Sequence, residues 1–313
     1  VTAGGPVNKH FRIEGGKIVE SSTGGPVVLY VAPTEAESKE LLEVHHLDPH
    51  TLQSALDPDE MGRIEFEDDH TAIILKQPCN YSSSDNFLFR VMSTGLFVFK
   101  DRLVIVQSKE VSLFEGKQGF KVNTLHDVVL RLVYVTINHF MGHLKVINML
   151  SDELEQKANV STENRYLLNM FTLEKSLVYF LSALNDNGTV VGKLKLSANR
   201  VGFTPENVEF LDDISIDNSQ CLTLAQTYSN ILSSLMDARA SLVGNNLNVM
   251  MKNLNAIMIA VAVPGFLASV GGMSEYTMMT GAGRWYITYP LFMAAMVLVS
   301  GVTYFLVKRL EKH

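Results

Sequence analysis

The stretch "NVMMKNLNAIMIAVAVPGFLASVGGMS", Asn248 to Ser274, carries one charge, Lys252, and none from Asn253 to Ser274. A second uncharged run, "WYITYPLFMAAMVLVSGVTYFLV", covers Trp285 to Val307. Each exceeds the roughly 20 residues that a helix needs to cross a bilayer's hydrocarbon core. A buried hairpin in a soluble protein is the alternative, but soluble helices of this length keep charge on one face. The pair is therefore read as two C-terminal membrane spans. Their flanks set the orientation. Lys252 precedes the first span, Lys308, Arg309 and Lys312 follow the second, and the loop between them holds only Glu275 and Arg284. The positive-inside bias puts both termini in the cytoplasm and the loop outside.

Over all 313 residues the composition is ordinary, with 47% apolar and 19% charged residues. The formal net charge of −7 argues against nucleic acid as a partner and fits a protein that handles cations. Cys79 and Cys221 would lie in a reducing compartment, so no disulfide framework is expected. The Gly-rich opening, Val1 to Asn8, does not read as a signal peptide. Nucleotide-loop, nucleophile-elbow and zinc-protease motifs are missing, and enzymatic chemistry has no positive support.

Residues 10–125 read as a mixed α/β unit. Pro26–Ala32, Thr71–Pro78, Asn86–Lys100 and Arg102–Gln107 are β-rich runs bounded by turn signals. Between the first two, one helix is expected to break at Asp48-Pro49 and a second to follow. From His126 the pattern is helical. One long helix runs to about Asn159, and another ends near Asn187-Gly188. A linker over residues 188–205 then leads to Pro205 at a first helical position. Beyond it, Leu211, Ile214, Asn218, Cys221, Ala225, Tyr228, Leu232 and Leu235 alternate steps of three and four, the seam of a coiled-coil-like helix.

That helix meets no stop before the membrane, and the same stepping continues through Asn248, Met251, Asn255, Met258, Ala262, Gly265 and Ser269. A stripe of amide, thioether, small and hydroxyl groups serves either helix packing or, when several copies surround an axis, the wall of a pore. The second span is more uniformly apolar behind a Trp/Tyr belt and suits the lipid side.

The combination resembles the CorA family of magnesium channels. The Met251-Lys252 pair, the mid-span Pro264 and the Gly272-Met273 end match the family's pore segment. Leu56–Lys76, "LDPDEMGRIEFEDDHTAIILK", is similar to its Asp…Arg-x-Glu segment. The resemblance covers nearly the whole chain. It implies an α+β cytoplasmic domain followed by long helices and two C-terminal transmembrane helices, in a funnel-shaped homopentamer of the inner membrane. Its boundaries would be 1–125 for the α/β domain, 126–252 for the stalk and 253–274 for the pore helix. The outer loop would be 275–284, the second span 285–307 and the basic tail 308–313.

The resemblance also assigns roles. Mg²⁺ would be both cargo and regulator, with Co²⁺ or Ni²⁺ as further cargo and no organic cofactor. Gly272, Met273 and Ser274 would form the outer mouth, with Asn248, Asn255, Gly265 and Ser269 along the pore and Met251 and Met258 as a hydrophobic gate. Family members close when Mg²⁺ binds carboxylates between cytoplasmic domains. Ungapped counting from the Met-Lys pair selects Asp213 for that role, with Asp85 as its partner across the interface; a solvated helix face is the plainer reading of Asp212, Asp213 and Asp217. One position departs from the family: Ser274 stands where its signature asparagine would be. An Asn ring offers carbonyl acceptors to the waters of hydrated Mg²⁺, whereas a shorter Ser hydroxyl leaves a wider mouth. Zn²⁺ transport, relaxed selectivity and a non-conducting membrane-anchored sensor therefore stay open beside Mg²⁺ transport. The His46/His50 and His139/His143 pairs have helix-face zinc spacing but no third ligand nearby in sequence, and are read as structural.

Overall fold

The computed structural model describes residues 8–111, 113–114, 121–160, 164–272 and 285–310. The chain divides into two compact units, Val1–Met236 and Asp237–His313. The first is built on a seven-stranded mixed sheet. Its strands are β1 (Asn8–Glu14), β2 (Lys17–Ser21), β3 (Val27–Val31), β4 (Arg63–Phe66), β5 (His70–Pro78), β6 (Val91–Phe99) and β7 (Leu103–Gln107), in the order β2-β1-β3-β7-β6-β5-β4. Only β3 and β7 run parallel; every other neighbouring pair is antiparallel.

Period-2 alternation sorts the strand residues into two cores. Val28 and Tyr30 of β3 face one side with Ile74, Phe97, Val104 and Val106. There they meet Leu41 of α1 (Glu35–Glu43) and Leu52 and Ala55 of α2 (Pro49–Leu56). Val27 and Leu29 face the other side, against the long helices α3 (Leu125–Val160), α4 (Arg165–Leu196) and the first part of α6 (Pro205–Gly271). The short α5 (Ala198–Val201) joins α4 to α6. Packing of α2 on β6 is close: a Cβ on Gly95 would lie 2.6 Å from that of Ala55.

The break between α1 and α2 falls where the sequence put it. Asp48 caps α2 by accepting from the Thr51 N–H at 2.9 Å, and Pro49 needs no donor in the first turn. A capping box starts α1, with Thr34 and Glu37 each meeting the other's backbone N–H. Strand β6 is shorter than the run Asn86–Lys100, because Asn86 and Phe87 take positive φ (49° and 68°) and turn the chain. The β1–β2 hairpin is an addition to the expected strands. It reverses through Gly15 and Gly16, both at positive φ.

The linker expected over residues 188–205 is corrected by the structure. Helix α4 runs on through Gly188 and Gly192 to Leu196. A helical glycine is worth about 1 kcal/mol less than alanine, whereas burying Val190, Val191 and Leu194 on the sheet returns about 1.5–3 kcal/mol each. Burial wins. The stop comes later, at Ser197, and Gly202 at φ 87° turns the chain toward α6.

Pro205 opens α6 as expected, behind a reciprocal cap between Thr204 and Asn207. Asn207 also donates to Asp127 of α3 at 2.9 Å. Burial opposes ionisation of Asp127, yet hydrogen bonds from the Asn123 N–H, the Asn207 side chain and Thr124 hold its carboxyl below the usual range. The three-and-four seam is the buried face: Leu211, Ile214, Asn218, Cys221, Ala225 and Leu232 are buried, while Tyr228 and Leu235 are half-buried. Asn218 donates to the Leu184 carbonyl at 3.0 Å. Both cysteines are free thiols, and burial pushes Cys221 up to about 11, far from the thiolate needed for reactivity.

Three described helices are long and apolar enough to cross a membrane: α4, α6 and α7 (Trp285–Leu310). Helix α4 is a core helix of the first unit. Ser176 accepts from the Phe89 N–H, and Asn187 bonds the backbone of Lys76. That leaves α6 and α7 for the spans.

Candidate functional site

Within the second unit, α6 runs unbroken as far as Gly271, with Pro264 inside it. Asn248, Met251, Asn255, Met258, Gly265 and Ser269 are all exposed on the single chain. Among the described residues 237–270, only Ala256 and Ala260 are buried. Ser300 of α7 reaches the carbonyl of Ala260, so this small-residue line is where the partner helix lies. At 3.6 residues per turn, it sits roughly half a turn from the line through Met251, Met258 and Gly265. Helix α7 covers α6 along that line; the amide-thioether-hydroxyl stripe on the opposite side is exposed, as are Ile257, Val261 and Phe266 beside it.

At the C-terminal end of α6 the Gly272 N–H is shared between the Ala268 and Ser269 carbonyls, at 3.0 and 3.3 Å, which closes the helix. Met273 and Ser274, expected beside Gly272 at the mouth, lie outside the described residues, as does the loop 275–284.

The expected regulatory carboxylates stand on different elements of the first unit. Asp213 is exposed in the early turns of α6. Its neighbour Asp212 is ion-paired with Lys195, and Asp217 lines a cavity of about 370 Å³ with Asn138, Lys145 and Gln220. Asp85 ends a single 3-10 turn, Ser83–Asp85. Its Oδ2 accepts from the Ser82 N–H at 2.7 Å and the Ser82 hydroxyl at 2.9 Å. Those two bonds hold its carboxyl below the usual range, helped by the charges of Arg90 and Lys109. No group of three or more His, Cys, Asp or Glu side chains suited to a metal forms among the described residues of one chain.

The histidine pairs go elsewhere. His46 sits at positive φ (56°) between α1 and α2, and the His50 ring nitrogen lies 3.4 Å from the guanidinium of Arg63, a poor neighbour for a metal. The His139 and His143 rings are 4.4 Å apart, and His143 also packs on Phe89 and Phe180. Burial, with the charge of His139, pushes His143 down to about 4. Its folded pKa lies below the usual imidazole value of 6.5, so the unfolded chain holds the extra proton between those limits. Stability therefore falls as pH drops through that window, by about 2 kcal/mol after discounting for partial exposure. Chemical denaturation at pH 7 and pH 4.5 checks this: His143→Phe should flatten much of the difference, and an unchanged pH slope would remove His143 as its source.

Sequence reasoning passed over Asn187, Lys76 and Ser300. Lys76 is a buried lysine whose Nζ donates to the Pro58 carbonyl and the Ser93 hydroxyl. Burial holds its pKa below the usual value against the pull of Asp186, Asp57, Asp59 and Glu60. It lines a cavity of about 370 Å³ with Arg90, Tyr179, Ser182 and Asp186. Its only sequence signal was a lysine inside an otherwise apolar strand.

Comparison with known proteins bears on the whole chain. A family model described as "CorA-like Mg2+ transporter protein" matches residues 28–309. The cobalt/magnesium transport protein CorA of Methanocaldococcus jannaschii is 26% identical over 233 residues, 71% of each chain. That of Thermotoga maritima is 24% identical over 280 residues, 85% of this chain and 78% of the other. The complete structure of the CorA magnesium transporter from Methanocaldococcus jannaschii matches with a TM-score of 0.78 at 20% identity, covering 99% of both chains.

Proposed function

The chain belongs to the CorA family, and from that premise we propose that it is a divalent cation transporter, carrying Mg²⁺ passively through a pore shared by several copies. The family is one of transporters, and the chain is not an enzyme. The observation that carries the reading is the extent of the match, residues 28–309, which takes in the sheet unit, the long helices and the apolar hairpin together. The exposed stripe on α6 supports it, since side chains opposite the α7 contact are the ones available to line an axis.

In this reading the copies form a homopentamer in the inner membrane, with both termini cytoplasmic. Asn248 and Asn255 receive the hydrated ion through its waters, while Met251 and Met258 form the constriction. No carboxylate stands between Asn253 and Ser274, so sites in the span are weak, as conduction requires. The membrane potential drives entry at about 2.3 kcal/mol per charge per 100 mV. Cytoplasmic Mg²⁺ bridges Asp213 of one copy to Asp85 of the next and holds the closed form, since clustered carboxylates repel until a cation joins them.

Uptake of Mg²⁺ into dye-loaded proteoliposomes at inside-negative potential tests the function, with Co²⁺ and Zn²⁺ in parallel. Potential-dependent Mg²⁺ entry is the expected result. Zn²⁺ flux without Mg²⁺ would mean that the serine at 274 marks a change of cargo, and silence for every ion would leave a membrane-anchored sensor. The regulatory half has its own check. Mg²⁺ should protect the parent from limited proteolysis, and Asp213→Ala should raise the Mg²⁺ needed for half-protection by about tenfold, the equivalent of one lost charged contact. Equal protection would end the role of Asp213.

A further inference from the structure

Pro264 brings no N–H to the backbone ladder of α6, so the carbonyl four residues earlier, that of Ala260, loses its regular donor. In water a solvent molecule would replace it; in hydrocarbon the replacement has to come from protein. The hydroxyl of Ser300 on α7 donates to that carbonyl at 2.9 Å, and Ala260 is buried.

The choice of acceptor is informative. A helical Ser or Thr ordinarily returns its hydroxyl to the carbonyl four residues back in its own helix. Thr223, Thr227 and Ser234 do so in this chain, and so does Thr303, less than one turn beyond Ser300. Ser300 instead crosses to the carbonyl that the proline left without its donor. Gly265, the residue with most backbone freedom, follows the proline directly. The pair makes a natural bending point in α6, and Ser300 reaches it from the neighbouring helix.

We infer that Ser300 is a positioning residue for the open stripe of α6. Its hydroxyl stands in for the missing proline N–H and clamps the helix at the Pro264–Gly265 joint. The clamp fixes the half of the stripe bearing Ser269 and Gly272 relative to the half bearing Asn255 and Met258. Any role in ion passage rests on the transport reading above; the hydrogen bond itself does not.

Four full-length proteins test it: the parent, Ser300→Ala, Pro264→Ala and the double variant. In liposomes at fixed potential, Ser300→Ala should change Mg²⁺ uptake by about threefold to tenfold, the range that interhelical hydrogen bonds support. In the Pro264→Ala background the same change should shift uptake by less than about 1.5-fold, because the restored backbone N–H at 264 takes the Ala260 carbonyl. Ser300→Thr keeps the hydroxyl and should track the parent. A readout free of transport is the infrared band of an isotope-labelled Ala260 carbonyl, which should move to higher frequency in Ser300→Ala and stay in place between the two Pro264→Ala proteins. Equal effects of Ser300→Ala in both backgrounds, or an unmoved band, would overturn the clamp. A parent that moves no ion would overturn the transport reading alone, and the band would still decide the clamp.

Discussion

Replacing Asn187 with Leu is expected to destabilise the sheet unit by about 4 kcal/mol, since two buried backbone groups lose their partners at roughly 1–3 kcal/mol each. Strand β4 pairs with β5 only as far as Arg63 opposite Ile74. Two residues on, Lys76 still pairs with Ser93 of β6, but on its other side no strand remains. The Asn187 amide fills that place from α4, accepting from the Lys76 N–H at 2.8 Å and donating to the Lys76 carbonyl at 2.7 Å. A side chain thus completes a ladder rung, and Asn187 is 1% exposed, so water cannot take over. Leucine keeps the branched four-atom outline of the side chain and removes both bonds. Thermal unfolding of the full chain should show a fall of roughly 8–16 °C. A loss under about 1 kcal/mol would mean that the sheet closes this gap some other way.

Met258→Ala is expected to raise resting cation leak about tenfold. Met258 stands on the open stripe of α6, 53% exposed in the single chain and about half a turn from the Ala256–Ala260 line. If copies meet around an axis, its thioether points inward and resists wetting of the constriction. Each truncation removes three heavy atoms from that ring, and a barrier lowered by about 1.4 kcal/mol is a factor of ten. One buried methylene is worth about 0.8 kcal/mol, so a ring of truncations can readily supply the difference. The measurement is dye-reported flux with internal Mg²⁺ high enough to close the parent. Unchanged leak would move the gate to Met251 or away from methionine altogether.

Much of the architecture could be read from local pattern. The strands β3, β5 and β7 follow from short β-branched runs between turn signals, and the Asp48-Pro49 start of α2 from the chemistry of a helix cap. The seam from Leu211 to Leu232 followed from spacing alone, because a 3.6-residue period has to put those side chains on one face. Local pattern misled where a punctuating residue was overruled from afar. Asn187-Gly188 looked like a helix end, yet the sheet beneath α4 rewarded continuation. The β1–β2 hairpin had its Gly-Gly turn in plain view, but its strands are too polar to stand out until β3 supplies their partner.

The sequence by itself determined that the chain ends in two uncharged, span-length helices, and that the first bears a polar stripe, because charge, length and period are properties of consecutive residues. Tertiary structure alone decided which carbonyls and amides meet. Asn187 and Lys76 are 111 residues apart, and Ser300 and Ala260 are 40 apart. Their hydrogen bonds exist because buried backbone groups without a strand neighbour or a proline N–H have to find a partner, and only the packed chain sets which side chain is within reach.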